Sequence, residues 1–127
     1  MIEKGITLDA GALIALERGS RAVTALLTRA RDRETSIAVP AGVVAQVWRD
    51  GRRQARLAQF LRSRHCEIVP LDALGARMAG HLCATSATSD IVDASVVVVA
   101  RQRGRRVITS DPDDLRRLDP TLELIVL

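Results

Sequence analysis

Asp9 and Asp111 each close an apolar run, Gly5-Ile6-Thr7-Leu8 before the first and Val107-Ile108-Thr109-Ser110 before the second, and Asp90 and Asp93 lie between them in the chain. If the two runs are neighbouring parallel strands, their aspartates emerge side by side at the carboxyl edge of a sheet, where open α/β folds place their ligands. Asp90 and Asp93 are i and i+3, so on a helix they share one face. Carboxylates gathered within a few ångströms repel one another, and such a cluster is stable chiefly around a hard cation such as Mg²⁺ or Mn²⁺. Water on such an ion has a lowered pKa and yields hydroxide able to attack a phosphodiester, while a second ion can stabilise the leaving oxygen. Each acid also has a purely structural reading. Asp9 can cap a helix beginning near Ala12, Asp90 or Ser89 can cap the helix that carries Asp93 in its first turn, and Asp111 before Pro112 is a frequent helix start. Capping does not explain why Asp93 stands between Val92 and Ala94 on an enclosed helix, where an unpaired charge is expensive.

Other chemistries find less support. Ser95 and Ser110 lack a histidine partner, because His65 and His81 fall in surface-like segments, which argues against a Ser/His/Asp hydrolase. Cys66 and Cys83 are far apart, with no second Cys or His at zinc spacing, and read as buried reduced thiols.

The elements that must position the acids alternate along the chain. Ile6 to Leu8 reads as a strand, Ala12 to Glu17 as a short helix ended near Gly19, and Ser20 as the cap of a helix with Val23, Leu26, Leu27 and Ala30 on one face. Ser36 to Val39 is a second strand. The run Ala41 to Trp48 is ambiguous, since its valines favour extension and Pro40 suits a helix start; we assign helix. Arg52 to Arg64 reads as helix, Glu67 to Val69 as a third strand, and Asp72 to Cys83 as a helix with Leu74, Met78 and Leu82 at core spacing. Ala84 to Ser89 is a loop by composition. Asp90 to Arg103 contains Val96-Val97-Val98-Val99, yet it is too long for a strand and is assigned to a buried helix stopped by Gly104. Arg106 to Thr109, Pro112 to Leu118 and Leu122 to Leu127 complete the chain as strand, helix and strand. The alternation predicts a five-stranded parallel sheet flanked by helices on both faces.

At 127 residues the chain fits one domain, and it has no run of eighteen apolar residues to span a bilayer and no secretory signal, so a cytoplasmic location is expected. The net charge is +4, and Lys4 is the single lysine among 19 basic residues. Guanidinium forks suit bidentate phosphate contacts and a nucleic-acid partner; a GC-rich genome accounts for the same bias equally well.

Asp9 after a strand, Ser89-Asp90-Ile91-Val92-Asp93-Ala94, and Thr109-Ser110-Asp111-Pro112-Asp113-Asp114-Leu115 together resemble the PIN-domain family, in particular the VapC-like toxins of bacterial toxin–antitoxin pairs. The resemblance spans nearly the whole chain in length and element order. It implies one PIN-like nuclease domain over residues 1–127, a homodimer, RNA cleavage dependent on Mg²⁺ or Mn²⁺, and inhibition by a small antitoxin whose tail enters the active-site groove. Carried over by position, Asp9, Asp93 and Asp111 look like metal ligands. Asp90 is an extra acid that can join them, with Asp114 and Thr109 in support. The departure is Gln46: where the family usually shows a glutamate after the second strand, this chain has a neutral amide, able to hold a metal-bound water but carrying no charge. That leaves a second reading, a PIN-like module that binds RNA or antitoxin without cleaving.

For an RNA substrate, Arg49, Arg52, Arg53 and Arg56 are candidate phosphate contacts, although a solvated helix face is the plainer reading of any one of them. With no Tyr, one Phe and one Trp there is little to stack single-stranded bases on, so recognition would depend on backbone shape or a folded RNA. A phosphoacceptor receiver domain has similar length and acids, but such domains need a lysine after a late strand, and this chain has none beyond Lys4.

Overall fold

The computed structural model describes residues 5–103 and 106–127. Five strands, β1 (Ile6–Leu8), β2 (Ile37–Pro40), β3 (Cys66–Val69), β4 (Arg106–Thr109) and β5 (Leu124–Val126), form one parallel sheet in the order β3-β2-β1-β4-β5. Among the described residues seven helices connect them: α1 (Ala10–Glu17), α2 (Arg21–Asp32), α3 (Ala41–Val47), α4 (Ala55–Leu61), α5 (Ala73–Thr85), α6 (Ile91–Arg103) and α7 (Pro112–Leu118). Every residue of β1 and β2 is buried. Successive strand side chains point to opposite faces, so the sheet is covered on both sides, as expected for an all-parallel sheet.

β1 and β4 are direct neighbours with Leu8 opposite Ile108, and the Asp9 N–H donates to the Ile108 carbonyl at 3.3 Å. Both strands therefore release their aspartates at the same edge. α6 supplies the third segment. Ala94 to Ala100 are all buried, so the four valines are enclosed on every side, against α5, the central strands, α3 and α7. Burial all round overrides their preference for extension. An ion pair fixes the far end of this helix: the Arg101 Nε donates to buried Asp119 just after α7 at 2.7 Å. Burial alone would raise the Asp119 carboxyl, but hydrogen bonds from Thr121 and Arg101 outweigh it and hold the group below its ordinary value.

Several expected boundaries shift. Helix α4 begins at Ala55 rather than Arg52, because Gln54 organises the preceding turn, and it ends at Leu61 rather than Arg64. Its side chain accepts from the Arg49 and Asp50 N–H groups at 2.7 and 3.1 Å, and donates to the Val47 carbonyl and to Glu17. α5 runs on through Ala84 and Thr85, shortening the expected loop. Its core face is also different. Gly75, Ala79, Leu82 and Cys83 are buried, whereas Leu74 is 62% exposed and Met78 is exposed as well. The core face of α5 is thus made partly of small residues, and the larger apolar side chains of Leu74 and Met78 turn outward. α1 begins at Ala10, and β5 is confined to Leu124–Val126. Cys83 is buried, but Cys66 only partly so; both are free, and burial raises both thiols. Gly104, expected to stop α6, lies outside the described residues.

Candidate metal centre

Asp9 is the most enclosed of the acids at this sheet edge, at 4% exposure. Its carboxylate caps α1, accepting from the Ala12 N–H at 2.8 Å, and takes a second hydrogen bond from the Thr109 hydroxyl. The same hydroxyl accepts from the Asp111 N–H at 2.9 Å, so Thr109 joins the two strand-end aspartates. Burial is the main cause raising the Asp9 carboxyl above its ordinary value, with the charge of Asp111 adding to it. Gly11 stands just beyond. A side chain there would collide with the Ser110 hydroxyl, so the missing Cβ lets the two strand-end turns come together.

Asp90 caps α6, its carboxylate accepting from the Asp93 N–H at 3.0 Å. Asp93, half-buried in the first turn, is pushed up to about 7. Desolvation is the largest cause, followed by the charge of Asp90, a hydrogen bond shared with Asp90, and the charges of Asp114 and Asp9. Asp111 is exposed and offers no side-chain cap to α7. It shares a hydrogen bond with Asp114, which raises its carboxyl, as do the charges of Asp114 and Asp113. Asp9, Asp90, Asp93, Asp111 and Asp114 thus act on one another from three separated segments. The capping readings hold for Asp9 and Asp90 together with this convergence; Asp111 does stand at the helix start before Pro112, but without a side-chain cap.

The described acids pair off, Asp90 with Asp93 and Asp111 with Asp114, and no three Asp, Glu, His or Cys among the described residues already share one ligand position. Their chemistry nevertheless fits a hard divalent cation. All are oxygen donors, two are desolvated, and each destabilises its neighbours' charge, a condition that a cation relieves in place of shared protons.

The remaining residues singled out from sequence lie elsewhere. Gln46 is exposed on α3, one turn beyond Gly42, which faces Val92 and Ser95 of α6. Arg49, Arg52, Arg53 and Arg56 are exposed on the α3–α4 turn and on α4. The Arg49 guanidinium donates to the Ala45 and Trp48 carbonyls, and that of Arg56 to the Glu17 carbonyl at 3.4 Å. None of the four lines the hollow of about 240 Å³ bounded by Thr88, Asp90, Asp93, Asp114, Arg117 and Leu118. Thr88 and Arg117 were not expected there. For Arg117 a signal existed, its i+3 spacing from Asp114 on a helix.

A parallel sheet that gathers acids from β1, α6 and β4 at one carboxyl edge defines a class of α/β protein with a polyacidic site. The chain belongs to the PIN-domain family, whose model matches residues 6–119. No curated protein matches it in sequence. Among solved structures it is similar in fold to VapBC2 from Rickettsia felis bound to a DNA fragment from its promoter, with a TM-score of 0.74 and 17% identity over 95% of this chain and 97% of that one. A toxin–antitoxin complex from Klebsiella pneumoniae gives a TM-score of 0.73 and 15% identity, covering 96% and 97%. The sarcin-ricin loop cleaving toxin VapC20 from Mycobacterium tuberculosis gives 0.64 and 17%, covering 87% and 94%.

Proposed function

We propose that this chain is a divalent-metal-dependent endoribonuclease, the toxin of a toxin–antitoxin pair, with residues 1–127 forming one nuclease domain that works in the cytoplasm. The observation that carries this reading is the mutual influence of Asp9, Asp93 and Asp111 with Asp90 and Asp114 at one sheet edge. Membership of the PIN-domain family supports it, as does likeness in fold to structures described as toxin–antitoxin complexes and to an RNA-cleaving toxin.

Asp9, Asp93 and Asp111 would hold Mg²⁺ or Mn²⁺, with Asp90 joining them. A bound cation supplies a water of lowered pKa and positive charge at the phosphodiester. The chain contributes the positioning. The Ala12 N–H and the Thr109 hydroxyl fix the Asp9 carboxylate, Asp90 tethers the first turn of α6, and Asp114 holds Asp111 through a shared hydrogen bond. Arg49, Arg52, Arg53 and Arg56 form a basic stretch for the RNA backbone, held in shape by Gln54. A small antitoxin and a second copy of the chain are the protein partners.

The test is cleavage of total bacterial RNA with Mn²⁺. Asp9→Asn and Asp93→Asn should each reduce it by more than about a hundredfold, given that outer-shell changes alone cost ten- to a hundredfold. Asparagine caps helices as well as aspartate does, so Asp9→Asn preserves the start of α1. The competing reading, a binder weakened by Gln46, predicts RNA binding by the unaltered chain with no Mn²⁺-dependent products.

A further inference from the structure

One wall of the acid hollow is basic. Arg117 lies one turn beyond Asp114 on α7 and borders the same space as Thr88, Asp90 and Asp93. Its neighbour Arg116 belongs to a different environment and pairs with Asp113 at 3.9 Å. Among the described residues Arg117 makes no ion pair with any acid of the hollow, although three carboxylates border it. A guanidinium beside a divalent-cation site repels the cation and weakens it, unless an anion comes between the two charges. A phosphodiester is such an anion, and the planar guanidinium fork matches two of its oxygens.

We infer that Arg117 binds a backbone phosphate of the RNA strand lying at the acid hollow, placing the strand against Asp90, Asp93 and Asp114. This rests on the nuclease reading above. It assigns the α7 wall a different task from the α3–α4 arginines, which lie outside the hollow and meet the strand elsewhere. The adjacent Arg116, exposed and paired with Asp113, is an internal control.

The experiment is a fluorescence anisotropy titration of a short mixed-sequence oligoribonucleotide, with Ca²⁺ in place of Mn²⁺, at several NaCl concentrations. R117A should bind about tenfold more weakly, with a logarithmic salt slope smaller by about one. R117K, which keeps the charge but not the fork, should retain the slope and recover part of the affinity. R116A should match the unaltered protein. Equal affinity and slope for R117A and R116A would overturn the inference. So would an unaltered protein that does not bind the oligonucleotide, or an R117A variant that tightens Mn²⁺ binding and leaves RNA binding intact, since Arg117 would then be only an internal counter-charge. The same variants assayed with Mn²⁺ separate the two ideas. Binding through Arg117 without Asp93-dependent cleavage rejects the nuclease alone, whereas full Asp93-dependent cleavage by R117A rejects the phosphate contact alone.

Discussion

The carboxyl of Asp93 sits at about 7 because burial and three neighbouring acids all oppose its charge, and this fixes how the metal-free protein responds to pH. A carboxyl raised in the fold binds its proton more tightly there than in the unfolded chain, where it titrates near 3.8. Its contribution to stability is therefore present at low pH and is lost as pH rises through about 7. In EDTA, the melting temperature should fall between pH 5 and pH 8. Asp93→Asn should flatten that slope, by on the order of 1–2 kcal/mol after allowing for partial solvent screening. Mn²⁺ competes with the same protons, so its affinity should climb over the same interval, as calorimetry can check. If position 46 borders the metal, as the family resemblance implies, Gln46→Glu should tighten Mn²⁺ binding; unchanged or weaker affinity would count against a role for position 46 at the metal.

Between the residues and the fold stand the helices that carry them, and there packing decides more than composition. α5 packs against α6 with Ala79 fully buried in the core. Ala79→Leu should destabilise by about 1–3 kcal/mol through overpacking. Leu74→Ala, at a larger but exposed side chain, should cost well under 1 kcal/mol in the same thermal unfolding experiment. This helix also marks where the sequence was hardest to read. Periodicity favours large apolar residues as the core face, and does not register a buried face made partly of Gly75 and Ala79. The start of α4 is illegible for a different reason, since the Gln54 contacts that shape it reach back to Val47 and Glu17. By contrast, the short strands were legible from apolar runs closed by Asp or Pro, and the valine-rich α6 from its length without Gly or Pro. Asp9, Asp93 and Asp111 could be placed at one edge because their positions follow from strand ends and helix spacing. Thr88 and Arg117 joined the hollow only through the packing of α6 against α7.

At the scale of the molecule, the +4 net charge suits the proposed RNA partner, whose binding should then weaken markedly with salt. Ile68, Leu71, Leu74 and Met78, running from β3 into α5, are exposed, and the proposed dimer would use this apolar surface. Light scattering should report a dimer, and Leu74→Glu with Met78→Glu should shift it to monomer without loss of the folded signal. No described helix is long and apolar enough to cross a membrane. The nuclease reading depends on acids at the ends of β1 and β4 and on α6 closing together on a cation. The most direct measurement is anomalous diffraction from crystals soaked in Mn²⁺. A manganese peak within about 2.2 Å of carboxylate oxygens from Asp9, Asp93 and Asp111 is the expected result. Carboxyls that remain paired as Asp90 with Asp93 and Asp111 with Asp114, with no manganese between them at saturating concentration, would contradict it.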